Sequence, residues 1–343
     1  MQKSLFINNY KIFKHLEVDN LQRINLFIGK NNTGKSTLLE AIAALSWEQY
    51  YLSFLYIQLS KKKEWTKFDF NSSFEALKSL FHNQVMAKAF IGHNQQNGIS
   101  FQIKEDINKN GLLPQSYFIW DYKDEGKSMG GKWKLEDMRN SLSFPSYIYS
   151  NRNCRLVDSS LQENNWRELA VLWGDIALSD KENFVIDALK IVEPKITRLS
   201  FIDTNSNNKS NNKKAIVRMS DKKEPTSLNS MGDGINRILQ IILNLVHCEN
   251  GILLIDEFEN GLHWSVQKEL WRIIVKMSEK LNIQVFAATH SRDTIWALQQ
   301  TTQNKGDARI IKLKYHNRTD LITATSFEMN EINTALEQSI EIR

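Results

Sequence analysis

Cysteine is scarce in this 343-residue chain: Cys154 and Cys248 are the only two, and they lie far apart. That argues against a disulfide framework or a cysteine zinc cluster and suits a reducing cytosol. No apolar run approaches the roughly 20 residues a membrane span needs, and the longest, 238–246, is broken by polar residues. The N-terminus has no apolar stretch ending in a small-residue cleavage site, so it does not read as a secretory signal. Internal repeats are missing, and so is any heptad run long enough for a coiled-coil arm. A cytoplasmic protein with no membrane partner is therefore expected.

What is present is an ordinary globular balance, 41% hydrophobic and 24% charged, with a net charge of +5. That mild excess permits DNA contact without requiring it. Strands are expected at the start as a hairpin turning at Asn8, Asn9 and Tyr10, then over 24–28, 98–104 and 117–122. From Leu156 to Pro194 the pattern is helical. Strands follow at 196–202 and 215–219, joined by TNSNNKSNNKK, the composition of a mobile loop. A DNA-touching role for its lysines is the alternative. Beyond it, helices at 235–248, 264–281 and 292–300 alternate with continuously apolar strands at 252–255 and 284–289. Two more strands, 308–315 and 321–327, precede a last helix from Asn330. Such alternation indicates an α/β core whose strands are buried on both faces. The aromatics Trp47, Tyr50, Tyr51, Phe54 and Tyr56 have the spacing of a buried helix face, although a partner surface would use the same residues.

Three segments carry chemistry. Residues 29–36 read Gly-Lys-Asn-Asn-Thr-Gly-Lys-Ser, the G-x-x-x-x-G-K-[ST] loop between a strand and a helix. Gly29 and Gly34 let backbone amides close around phosphates, and the helix start turns its positive end toward them. Lys35 is placed to reach the β- and γ-phosphates, and Ser36 to ligate a Mg²⁺ ion bridging them. Asn31, Asn32, Thr33 and Thr37 complete the nucleotide cradle. The second segment, Ile252-Leu253-Leu254-Ile255-Asp256-Glu257, delivers two acids to the end of a buried strand. Asp256 would hold the metal, directly or through water, and Glu257 would polarise the attacking water. The third, Ala287-Ala288-Thr289-His290-Ser291, ends another buried strand. There His290 either meets the γ-phosphate or is a satisfied strand-end histidine.

Together these segments resemble the ABC ATPase class, and within it the group of SMC proteins and OLD-family ATPase domains. The resemblance covers nearly the whole chain and rests on the Gly-x-Asn-Asn-x-Gly-Lys-Ser loop, on Asp256 to His263 and on Thr289-His290-Ser291. It implies one ABC head over 1–343. A P-loop mixed sheet and an antiparallel β subdomain would occupy 1–150, a helical lobe 155–195, and the signature, Walker B and switch-histidine part 226–343. It also implies a signature motif, best matched by Ser227 to Gly234. There Ser230 and the Gly232 amide would touch the γ-phosphate held by a partner subunit. A helix cap made by Ser230 or Asp233 is the other possibility. The sequence departs from the transporter-type Leu-Ser-Gly-Gly-Gln, which disfavours transport. The Q-loop is not placed; Tyr147 to Arg152 is the nearest stretch.

The expectation is an ATP- and Mg²⁺-dependent ATPase, with Lys35, Glu257 and His290 catalytic. It would close as a homodimer or higher homo-oligomer around sandwiched ATP. By resemblance to standalone OLD-like proteins, it would act as a sensor or regulator in anti-phage defence. No acidic cluster follows His290, so a nuclease or other effector would be a separate chain. The alternative is a DNA-binding ATPase clamp in repair or chromosome maintenance.

Overall fold

The computed structural model describes residues 1–47, 70–106, 115–135, 153–158, 165–203, 213–302 and 307–331. The aromatics from Tyr50 to Tyr56, the stretch 147–152 and most of the 204–214 segment lie outside these residues.

The chain opens as an antiparallel pair, β1 (Leu5–Tyr10) and β2 (Phe13–Val18). Its turn falls at Lys11 and Ile12, later than the asparagines implied. Asn8 instead stays paired with His15, and Lys11 takes the left-handed conformation at φ 48°. The P-loop strand β3 (Ile24–Ile28) leads into α1 (Lys35–Ser46). After α2 (Phe70–Lys78) come β4 (Ala89–Gly92), β5 (Gly98–Asp106), β6 (Gln115–Asp124) and β7 (Lys127–Lys134). These form a six-stranded antiparallel sheet in the order β2-β1-β4-β5-β6-β7.

Leu156 and Val157, where the sequence pattern predicts the start of a helical segment, instead end strand β8 (Cys154–Val157). Their pairing with β12 overrides the local helical pattern. Helices α3 (Asn165–Ile176) and α4 (Asp180–Leu189) follow, then β9 (Ile196–Asp203), β10 (Lys213–Met219) and β11 (Thr226–Ser227) as a small sheet. One 3₁₀ turn later, α5 (Asp233–Val246) begins. It is followed by β12 (Ile252–Ile255), α6 (Trp264–Lys280), β13 (Gln284–Thr289), α7 (Arg292–Thr302), β14 (Ala308–His316) and β15 (Leu321–Phe327).

The central sheet has the order β15-β14-β3-β13-β12-β8, parallel except for the β15 edge. Its strands read as unbroken apolar runs because alternate residues serve two cores. Leu26, Leu253, Ile255, Val285 and Ala287 pack with α3 to α6 on one face. Phe27, Leu254, Phe286 and Ala288 pack with α1 and the antiparallel sheet on the other. Burial on both faces fixes the strand register, so β3, β12 and β13 end together at one edge. No helix among the described residues is long and apolar enough to cross a membrane.

Candidate nucleotide site

The C-terminal ends of β3, β12 and β13 meet at a cleft of about 510 Å³. It is lined by Asn31, Asn32, Gly34, Lys35, Ser36, Thr37, Asp256, Glu257, Thr289 and His290, together with Ile12. Three segments far apart in sequence thus converge on one edge, where parallel sheets bind ligands.

The loop is built around backbone that side chains would block. Gly34 sits at φ 90°, and a Cβ there would stand 2.6 Å from the Phe13 ring. A Cβ on Gly29 would meet the Leu313 carbonyl oxygen at 2.6 Å. Asn32 takes φ 62°, a conformation asparagine tolerates better than most residues. The Thr33 hydroxyl donates to the Lys30 carbonyl at 2.8 Å, so this buried side chain braces the loop from within rather than lining the cleft. The Lys35 ammonium donates to the carbonyls of Gly29 and Lys30 at 2.8 and 2.9 Å. Its pKa is lowered by burial, against the opposing pull of Asp256, Glu259 and Glu257.

Across the cleft, burial raises the Asp256 pKa, and the Glu257 charge adds to that; a hydrogen bond from Ser36 works the other way. A buried carboxylate joined to a hydroxyl, facing a cationic loop, is an oxygen donor set that fits a hard divalent ion. Asp256 and Ser36 would hold it. The Glu257 backbone is left-handed at φ 46°, an uncommon state for a residue with a Cβ. Phe258 anchors this turn: its amide donates to the Ala288 carbonyl at 2.9 Å, and its ring stacks on Trp271 at 4.2 Å.

Two participants were missed at the sequence level. The Glu259 carboxylate accepts the Thr289 hydroxyl at 2.6 Å and the His290 amide at 2.9 Å, and the His290 ring Nδ1 stands 2.9 Å from it. That carboxylate ties the acid strand to the histidine strand and orients the imidazole. An acid two places after Glu257 was the available signal. Arg237, on α5, is 1% exposed. Its guanidinium donates to the carbonyls of Asp158 and Asp256 at 2.6 Å and Glu257 at 3.2 Å, and to the Gln240 side chain at 2.9 Å. An arginine in an apolar helix was the only hint.

Ser230 and Gly232 do not line the cleft. Gly232, at φ 95°, caps α5 without a side-chain bond, and Ser230 donates to the Ser227 carbonyl at 2.7 Å. Neither Ser230 nor Asp233, the first residue of α5, therefore provides the cap. The start of α5 abuts the turn after β12, where a Cβ on Gly234 would reach the Gly261 carbonyl at 3.0 Å.

This loop, acid pair and strand-end histidine on a parallel sheet define a P-loop ATPase. The chain belongs to the AAA ATPase domain family, whose profile matches residues 1–110 and 136–295. It is 26% identical over 341 residues to an ATP/GTP phosphatase of Helicobacter pylori, covering 91% of each chain. Its fold is that of an SMC head. A structure of the SmcHead bound to the C-winged helix domain of ScpA superposes with a TM-score of 0.54 at 11% identity, over 97% of this chain and 99% of that one. An Smc head from Pyrococcus furiosus, with an extended coiled coil and bound to the C-terminal domain of ScpA, gives 0.51 at 10% identity over 98% of each. The chain is thus an AAA ATPase that shares its fold with SMC heads.

Proposed function

We propose that this ATPase hydrolyses ATP at a composite site between two copies of the chain. The carrying observation is the cleft itself, which gathers Lys35, Ser36, Asp256, Glu257 and His290 around one loop. Lys35 neutralises part of the phosphate charge, and the loop amides with Asn31, Asn32 and Thr37 hold the phosphates, on a loop that Thr33 braces from within. Ser36 and Asp256 would hold Mg²⁺, which would supply charge compensation for the phosphates. Glu257 accepts a proton from the attacking water, and His290, held by Glu259, contacts the γ-phosphate or that water. Ser230 and Gly232, outside the cleft and at the exposed start of α5, contact the nucleotide bound by a partner copy. Glu257→Gln retains binding and removes the base, so it accumulates an ATP-bound dimer measurable by light scattering. Wild-type turnover in that variant sinks the assignment.

We assign the cycle to control of a separate effector, such as a nuclease, in bacterial defence against phage. Support comes from the resemblance to standalone OLD-like ATPases; the name of the phosphatase relative bears on nucleotide hydrolysis alone. Loss of phage resistance in a Lys35→Ala strain is the expected outcome; unchanged plating refutes it. A clamp on DNA is the second reading. It is favoured by the SMC-head fold and by Trp264 and Trp296, exposed on α6 and α7, with the Lys268 ammonium 6.0 Å from the Trp296 ring. DNA-stimulated turnover by the chain alone selects it.

A further inference from the structure

A second cavity, of about 770 Å³, adjoins the phosphate cleft and shares Ile12, Asn31 and Asn32 with it. Its far wall is made by Tyr315 and Asp320 of the β14–β15 hairpin and by His82 and Asn83. A nucleotide with its phosphates on the loop has this cavity beside it.

The wall holds an unmatched pair of acceptors. His82 is 9% exposed, and its Nδ1 lies 3.1 Å from the Lys11 carbonyl oxygen, so Nδ1 carries the hydrogen. Nε2 is then an acceptor. It is buried without a hydrogen-bond partner and stands 3.9 Å from Asp320 Oδ2. The Asp320 carboxylate is held in place by the Tyr315 hydroxyl, which donates to Oδ1 at 2.8 Å, and by the Asn83 side chain. These bonds, with Lys14 of the β1–β2 hairpin nearby, hold its pKa below the usual carboxylate range. Two acceptors facing each other call for a group that donates twice. A base amino group donates two N–H bonds from one nitrogen.

We propose that His82 and Asp320 select the nucleobase by accepting the two hydrogens of the adenine 6-amino group. The inference rests on ATP binding at the P-loop and adds the residues that read the base. A site built to pair a donor discriminates against an analogue lacking it, because its own polar groups are left unpaired. A doubly protonated His82, paired with Asp320 as an internal ion pair, makes the amino group irrelevant.

The test compares Mg²⁺-ATP with purine riboside triphosphate, which differs only by loss of the 6-amino group. Calorimetry on the full chain is expected to show ATP binding about tenfold tighter. His82→Phe and Asp320→Asn are expected to bring the two ligands within about twofold of each other, by weakening ATP alone. Asp320 is more than half exposed in its side chain, so its variant is not exposed to core failure. Equal binding of both nucleotides by the wild type overturns the proposal, as does preference retained in Asp320→Asn. If neither nucleotide binds, and Lys35→Ala behaves identically, the P-loop reading falls as well. That pattern separates the two failures.

Discussion

Arg237 is the position where a single substitution tests most of the site's construction. Its buried guanidinium holds three main-chain carbonyls: Asp158 beyond β8, and Asp256 and Glu257 beyond β12. Replacement by methionine preserves most of the volume and removes the charge. Three carbonyls then lose a charged donor. Each has a second lone pair, and two belong to a cleft that admits water, so about 1 kcal/mol apiece is the appropriate end of the range. Relief from burying an ion offsets part of the side-chain bond to Gln240. The net expectation is a loss of about 3 kcal/mol, read as a lower urea midpoint with unchanged slope. Lysine keeps the charge but lacks the planar fork, so Arg237→Lys is expected to be at least as damaging. A methionine variant within 1 kcal/mol of wild type, or a lysine variant more stable than the methionine one, refutes the reasoning. Turnover adds an independent readout. With its carbonyls released, Glu257 no longer has a reason to stay at φ 46°, and hydrolysis should fall more than ATP affinity.

Three further outcomes follow from the same geometry. Burial raises the Asp256 pKa, so at neutral pH the ligand-free fold carries a penalty for keeping it ionised. Asp256→Asn should therefore stabilise the ligand-free chain by about 1 kcal/mol while abolishing the stabilisation Mg²⁺-ATP gives the wild type; a less stable ligand-free variant counts against it. Glu259→Gln weakens the hold on His290 and should lower turnover about tenfold while Kd for ATP changes little, as steady-state kinetics and calorimetry together would show. His247, at the end of α5, has its pKa lowered, first by burial and also by Arg155 and Lys181, with the Leu243 carbonyl and Asp175 pulling the other way. The unfolded chain then binds more protons, so stability should decline as pH falls from about 7 to 5, and His247→Gln should flatten that slope.

How far the sequence carried the reading depended on whether each feature is local. The P-loop, the acid pair and the strand-end histidine are short contiguous patterns, and the apolar runs of β3, β12 and β13 announce burial on both faces. Their convergence could be inferred because parallel strands must end at a common edge. Glu259 and Arg237 escaped because their roles exist only across elements. The acid faces a histidine 31 positions away, and the arginine bonds carbonyls 19, 20 and 79 positions away. No period or motif encodes such pairings; a charge inside an apolar helix marks only that a partner must exist. Strand β8 escaped for a related reason, since Cys154–Val157 is held by its ladder to β12 rather than by its own propensity. The His82–Asp320 pair is the extreme case. It joins a 3₁₀ turn to a hairpin 238 positions later, and only the unpaired buried nitrogen reveals it. Residues that bind the phosphates are legible because the triphosphate is common to many proteins and has shaped a recurring loop. Residues that read the base face no such common demand, so their chemistry appears only once the chain is folded.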